Sequence, residues 1–383
     1  MSSVTPFPLI EVSGPPVERG RSYGELARDR IQGSIELYVG SLSKRGLAKP
    51  EILDMAIDFA PRVRDWAPHL LDEMEGIAEG AGVSLAEIVL VNARTEVLQL
   101  GERKSGKADN PARDEEPDGC TGAVVMPDFT ANGRLIHGQN WDWRAECAET
   151  SVVLKVLRDD GPDFLTFTEA GGLARSGMNA AGIGLTANYL ECERDYRSLG
   201  IPLPFIRRRA LEAAHFSEAI RIVASTAKSG SNNMMLSTAE GFAVNLECAP
   251  DEAFSIYPDR DGLIVHANHW LHMAALSKLK ETGLADVPDS LYRDARVRRH
   301  LLSNVGHITM DDLKQSLFDD FASPFSVCRP PFRKDTGNLS ATVAMIVMEP
   351  AAGLMEIAPL PAINRDFARY ELTMDQSGAV LAS

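Results

Sequence analysis

The hydrophobic period of this chain changes once, at Cys120, and that change restricts the fold more than any other feature of the sequence. Up to about Gln99, apolar residues recur at three- and four-residue steps in ERGRSYGELARDRIQGSIELYVGSL, EILDMAIDFAPRVRDW and PHLLDEMEGIAEGAG, the spacing of amphipathic helices. Ser84 and Glu87 in SLAEIVLVN have the form of a capping box. From Cys120 onward the text breaks into short strand-like runs, among them TGAVVM, RLIHGQNWDW, SVVLKVLRD, GIGLTANYL, GFAVNLEC and ATVAMIVMEP, separated by Gly, Pro, Asp and Asn. Two helical stretches interrupt them, PFIRRRALEAAHFSEAIRIVAST and SLYRDARVRRHLLSN with DDLKQSLFDDF. Strands linked mostly as hairpins, with grouped helices, predict an α+β fold of antiparallel sheets covered by helices. The strands do not alternate regularly with helices, as a doubly wound sheet requires.

Between the two regimes lies GERKSGKADNPARDEEPDG, Gly101 to Gly119. It has almost no large apolar side chain, so burial cannot offset its ordering entropy, and it reads as an exposed linker of the sort in which chains are cut. At 383 residues the chain is long enough for two domains or one large layered core. With 44% hydrophobic and 24% charged residues it is a soluble globular protein by composition. A net charge of −15 argues against a nucleic-acid partner. The basic clusters Arg207–Arg209 and Arg293, Arg296, Arg298, Arg299 read as solvated faces or partners of carboxylates. No apolar stretch approaches bilayer length, so no membrane partner is expected. The start, MSSVTPFPLIEVSG, lacks the pattern of a signal peptide, and five scattered cysteines without CxxC spacing suggest reduced thiols, so a cytoplasmic location is expected.

The sequence contains no GxSxG elbow, phosphate loop, GxGxxG fingerprint or HExxH pair. His266, His269 and His272 in HANHWLH could be read as a metal set, but the strand-like text before them would divide them between faces, and no metal or other cofactor is expected. Cys120 stands apart because of the linker before it. Cutting the Gly119–Cys120 bond would leave a thiol and an α-amino group on one carbon. An α-amine with a reference pKa of ~8 can serve as base to its own thiol. The Cys120 thiol could itself attack the Gly119 carbonyl, with glycine permitting the close approach. On these residues alone the alternative stays open: a buried cysteine at the start of a strand, after a flexible loop.

The motifs downstream carry a resemblance. DGCTGAVV followed by GQNWDW (Gly138–Trp143), SGMNAAGIGLTANYL, VHANHW, SPFSVCRP and ATVAMIVMEP occur in the order found in the acyl-CoA:6-aminopenicillanic acid acyltransferase family, the C45 peptidases, which are N-terminal nucleophile (Ntn) hydrolases. The resemblance runs from Asp118 to about Pro350. It implies an αββα sandwich of two antiparallel sheets, with residues 1–119 as a helical N-terminal segment and small chain, and residues 120–383 as the catalytic chain. It further implies self-cleavage at Gly119-Cys120, Cys120 as nucleophile and base, Asp142 as the residue orienting the amine with its N–H near the oxyanion, and Asn268 as an oxyanion donor. Tyr189, Phe164 and His269 are candidates for contact with substrate. The family's active-site Arg before the closing strand is replaced here by Leu339, which leaves Arg329 or Arg333 from the preceding loop, with Ser340 and Thr342 as nearby polar groups.

The activity so implied is amide hydrolysis or acyl transfer on an N-acyl or aminoacyl amine, through a Cys120 thioester. The expected partners are a small-molecule amide and the two chains of the same precursor, with homo-oligomerisation left open. An acyl-CoA-dependent N-acyltransferase, a non-catalytic binding protein of the same fold, and a histidine-based metal hydrolase are the competing readings.

Overall fold

The computed structural model describes residues 4–104, 119–334 and 337–375. Most of the polar run 101–119 therefore lies outside the described residues. In chain order the strands are β1 (Leu9–Ser13), β2 (Cys120–Val125), β3 (Ile136–Arg144), β4 (Ser151–Leu157), β5 (Phe164–Glu169), β6 (Ser176–Asn179), β7 (Ile183–Tyr189), β8 (Asn232–Thr238), β9 (Ala243–Cys248), β10 (Ala253–Ile256), β11 (Leu263–His266), β12 (Phe332–Arg333), β13 (Leu339–Glu349), β14 (Leu354–Pro359) and β15 (Ala368–Glu371).

They form two sheets. One runs β1-β4-β5-β6-β7-β8-β9-β10, the other β11-β2-β3-β13-β14-β15, with β12 also paired to β13. Apart from β1 on β4, every pairing is antiparallel. Strands β2 and β3 of the smaller sheet face β7 and β8 of the larger one. Helices Leu203–Leu211 and Phe216–Ser225 cover the larger sheet, and Ser290–Leu302 and Met310–Leu317 cover the smaller. The layering is αββα, a mixed α+β fold.

That layering explains why clean period-two alternation is missing from the central strands. β2, β5, β8 and β9 are buried at every position because one face meets the other sheet and the opposite face meets helices. The apolar layer between the sheets draws Cys120 and Trp141 from one side and Val153, Leu165, Phe167 and Met178 from the other.

The N-terminal section is helical as expected, with one difference. Leu9–Ser13 forms an edge strand parallel to β4, so this section also extends the larger sheet. Five residues flanked by Pro8 and Gly14 are too short to present a period, and only the β4 edge makes them a strand. Ser84 and Glu87 close the expected capping box, Ser84 N donating to Glu87 Oε2 (2.9 Å) and Glu87 N to Ser84 Oγ (3.3 Å). Helices Pro16–Leu26 and Pro68–Ala81 pack backbone to backbone. A Cβ added at Gly20 would meet Glu73 O at 2.1 Å, and one at Gly80 would meet Arg21 O at 2.1 Å.

Candidate active site

Cys120 opens β2 at the mouth of the smaller sheet, where its register partner on β3 is Trp141. The peptide bond before it is held from both sides. Asp142 N donates to Gly119 O at 3.1 Å, and Cys120 N donates to Asn268 Oδ1 at 2.7 Å. Gly119 has no room for a side chain, since a Cβ there would lie 2.5 Å from Arg329 Nη2 and 2.8 Å from Arg293 Nη2.

The Asn268 side chain has one possible orientation. Its Oδ1 faces two donors, Cys120 N and Arg293 Nη2 (2.8 Å), while Nδ2 donates to Tyr189 O (2.8 Å). Tyr189 O takes one Nδ2 proton, so a second N–H remains on that nitrogen. The backbone of Asn268 is fixed in turn, its N donating to Ser290 Oγ at 2.7 Å.

Asp142 sits on β3 with its carboxylate buried. Thr342, its register partner on β13, donates Oγ1 to Asp142 Oδ1 at 2.6 Å, and Arg329 Nε lies 3.2 Å from Oδ2. A bulge between Thr342 and Ala344 bends β13 beside this contact. Arg329 and Thr342 also pair through their backbones, Thr342 N to Arg329 O (3.0 Å), and Thr342 Oγ1 accepts from Arg329 N (2.8 Å). Arg333 instead lies at the surface and donates to Gly337 O. The guanidinium that meets Asp142 is therefore that of Arg329.

Arg293 was not legible as a site residue. Its helix text carries four arginines in seven residues, and Arg296 and Arg298, both part-exposed, do pair with the carboxylates of Asp319, Asp259 and Asp261. Arg293 is wholly buried instead. It donates to Cys120 O (2.7 Å), Thr121 Oγ1 (2.8 Å), Asn268 Oδ1 and Asp289 Oδ2 (2.6 Å), and Arg329 Nη2 meets the same Asp289 oxygen. Burial first, then the neighbouring Arg329, lowers the Arg293 pKa, while Asp289 and Asp142 oppose that shift.

Burial pushes the Cys120 thiol up to about 11, and the Asp142 charge adds to this, against the pull of the Asp142 N–H, Arg175 and Arg293. The thiol is thus protonated at neutral pH and needs a base to react. The other four cysteines are buried as well, and none is in a disulfide.

Of the remaining candidates, Tyr189 reaches the site through its carbonyl, while its hydroxyl donates to Glu191 Oε1 (2.9 Å). His269 follows Asn268 and holds Ser290 Oγ at 2.7 Å through Nδ1. Phe164 is placed elsewhere: it is fully buried in the core cluster shared with the N-terminal helices, under the Arg208 guanidinium at 4.5 Å, whereas Phe167 packs on Trp141 beside Cys120. The three histidines take separate partners, His266 on Glu247, His269 on Ser290 and His272 on Ala274 N. Among the described residues no group of three or more His, Cys, Asp or Glu is arranged to hold a metal. No helix among them is long and apolar enough to cross a membrane.

Residues 129–359 match the family described as acyl-coenzyme A:6-aminopenicillanic acid acyl-transferase. The 40 kDa form of acyl-coenzyme A:6-aminopenicillanic-acid-acyltransferase from Emericella nidulans is 30% identical over 324 residues, 84% of each chain. An uncharacterized protein of Archaeoglobus fulgidus is 23% identical over 353 residues, 82% of this chain and 58% of its own length. Among solved structures, a mutant conjugated bile acid hydrolase from Clostridium perfringens aligns with a TM-score of 0.45 at 13% identity, over 66% of this chain and 92% of its own. Penicillin V acylase from Agrobacterium tumefaciens aligns at 0.44 and 15% identity, over 66% and 86%.

Proposed function

This chain belongs to the acyl-coenzyme A:6-aminopenicillanic acid acyl-transferase family, and on that premise we propose that it is a self-processing cysteine amidohydrolase that acts on a linear amide. The observation that carries the reading is the clamp on the Gly119–Cys120 bond, whose oxygen meets the Asp142 N–H and whose nitrogen meets Asn268 Oδ1. An N–H on the carbonyl oxygen is the arrangement that stabilises a tetrahedral oxyanion.

In self-cleavage the Cys120 sulfur attacks the Gly119 carbonyl carbon, the C–N bond breaks, and the thiol proton ends on the departing nitrogen. Water then hydrolyses the Gly119 thioester, giving a Gly119 carboxylate and a free Cys120 thiol and amine. The nitrogen that donated to Asn268 Oδ1 as an amide is then the α-amine. Its lone pair, no longer delocalised into an amide, can then take the proton of the thiol on the same residue.

In turnover the amine takes the thiol proton, the thiolate attacks the substrate carbonyl, and the proton passes to the leaving amine. Water attacks the resulting thioester, the acid leaves, and the thiol is restored. The Asp142 N–H and the second Nδ2 proton of Asn268 are the donors assigned to the oxyanion. Arg329 and Thr342 hold the Asp142 strand position, and Arg293 holds the Cys120 carbonyl, so these residues act by positioning.

Intact mass of the purified protein and a panel of N-acyl and aminoacyl amides test the reading. The expected result is two chains divided before Cys120, amide turnover, and loss of both in Cys120→Ala. A single full-size chain that leaves every amide intact would overturn it. With an amine in place of water the same thioester gives acyl transfer, and a trapped N-acyl product would identify that outcome.

A further inference from the structure

Arg207, Arg208 and Arg209 are consecutive on the helix Leu203–Leu211, yet they meet three different environments. Arg208 is sealed in the core on Glu73 (2.6 Å) and Glu212 (2.9 Å). Arg209 is partly exposed and reaches Glu212 at 3.1 Å. Arg207 is 6% exposed, its Nε is buried with no hydrogen-bond partner, and no carboxylate among the described residues pairs with it.

The groups around Arg207 do not neutralise it. Arg94 and Arg175 are close enough to repel it, and both are committed to one carboxylate, Glu169, at 3.1 and 2.5 Å. Glu96 is the other nearby acid. Burial pushes its carboxyl up to about 7, against its own N–H, Arg94, the Leu203 N–H and Arg207, so it holds a proton much of the time at neutral pH. Three guanidinium groups thus share one fully ionised carboxylate. Burial and this repulsion bring Arg207 down to about 9. An unpaired buried cation is strongly unfavourable, and the charges of Cys120 and Glu169 offset that cost only in part, with no carboxylate in salt-bridge contact among the described residues.

The cluster lies beside the nucleophile. Arg175 stacks on Trp141 at 4.2 Å, and Trp141 is the register partner of Cys120. Cys120 and Arg207 also feel each other's charge. The guanidiniums that act most on the thiol are those of Arg175 and Arg293, and Arg207 belongs to the same cluster through Arg175.

We propose that Arg207 is the anchor for a carboxylate on the amide substrate, so that the enzyme selects acidic amides over neutral ones of the same shape. The planar fork of an arginine fits a carboxylate with two hydrogen bonds, and the missing counter-charge arrives with the substrate. The proposal rests on Cys120 being the nucleophile. The carboxylate can belong to the amine part, as in an N-acyl amino acid, or to the acyl part, as in a diacid monoamide.

Two matched pairs separate these sources in steady-state kinetics of the wild-type enzyme: hexanoyl-glycine against hexanoyl-glycinamide, and glutaryl p-nitroanilide against pentanoyl p-nitroanilide. In one pair the acid is expected to be preferred by about 10- to 100-fold in kcat/KM, mainly through KM. Arg207→Gln should bring that ratio close to one, and Arg207→Lys should retain part of it. Arg260→Gln, which alters an exposed side chain, should leave the ratio as it is. Amide turnover without an acid preference in either pair overturns the proposal, as does a preference that survives in Arg207→Gln. If Arg207→Gln does not fold, the wild-type ratios and Arg207→Lys decide. If no amide is turned over, the hydrolase reading fails by itself. Calorimetric titration of the same pairs into the wild-type protein then decides Arg207, and equal or absent binding of acid and neutral members overturns it.

Discussion

Arg329 and Asp142 form an ion pair with Nε 3.2 Å from Oδ2, both side chains lying almost wholly out of solvent. Asp142 comes from the second strand of the smaller sheet and Arg329 from the loop before β12. Leu339 occupies the place where the family resemblance implies an arginine, and the guanidinium reaches the aspartate from a neighbouring loop instead. Truncating one partner of a buried pair leaves the other charge unpaired. Arg329→Leu is therefore expected to destabilise the fold by ~3–5 kcal/mol, whereas Arg333→Gln at the surface should stay within ~0.5 kcal/mol. Urea unfolding measures both, and an Arg329→Leu protein as stable as wild type would remove the pair from the account.

Gly119→Ala adds one carbon between two fixed arginines. The new Cβ would lie 2.5 Å from Arg329 Nη2 and 2.8 Å from Arg293 Nη2, so both must shift. The overlap costs ~1–3 kcal/mol and shifts the Gly119 carbonyl relative to the Asp142 N–H, the donor proposed for its oxyanion. We expect self-cleavage to slow by roughly 5- to 100-fold, read from the accumulation of the two chains on a denaturing gel. Cleavage at the wild-type rate would show that this close approach does not matter.

Asn268 serves Cys120 through one end of its amide and Tyr189 through the other. Asn268→Ala removes both and is expected to lower kcat by ~100- to 1000-fold, the usual loss for an oxyanion donor. Asn268→Asp keeps an acceptor for Cys120 N but deletes the Nδ2 donor. It should form the two chains and still turn over slowly. Wild-type kcat in Asn268→Asp would exclude the donor role.

Glu169 gives the fold an acid limit. Burial alone would raise its pKa, but Arg175, Arg94 and the Tyr38 hydroxyl outweigh burial and hold it down at about 2. Its folded pKa lies below the unfolded value near 4.5, so the stabilisation is complete above that value and is lost as pH falls toward 2. The loss amounts to ~3 kcal/mol, the equivalent of this shift. Glu169→Gln should flatten the acid limb of a stability-against-pH curve while lowering stability at pH 7, because Arg94 and Arg175 lose their shared carboxylate. An unchanged acid limb in that variant would assign acid sensitivity to other carboxylates.

Much of this architecture can be read along the chain because it depends on neighbours in sequence. The change of period at Cys120, the capping box of Ser84 and Glu87, the turn residues between strands and the ordered motifs around Cys120, Asp142 and Asn268 are local signals. They lead to two antiparallel sheets covered by helices and to a cysteine at the seam. Other features depend on which distant segments meet, and those only the tertiary structure decided. A strand of five residues at Leu9–Ser13 exists because the β4 edge is there to pair with it. Arg293 looks like any arginine of a basic helix until that helix is laid over β2, where burial forces its guanidinium onto Cys120 O, Asn268 and Asp289. Arg329 and Arg333 are equivalent as text, yet packing buries the first on Asp142 and leaves the second at the surface. Three successive arginines at 207–209 differ only because a helix turns each toward a different environment, and desolvation makes the unpaired one costly. Period and capping are written residue by residue, whereas charge pairing inside a core is set by which groups lose their water together.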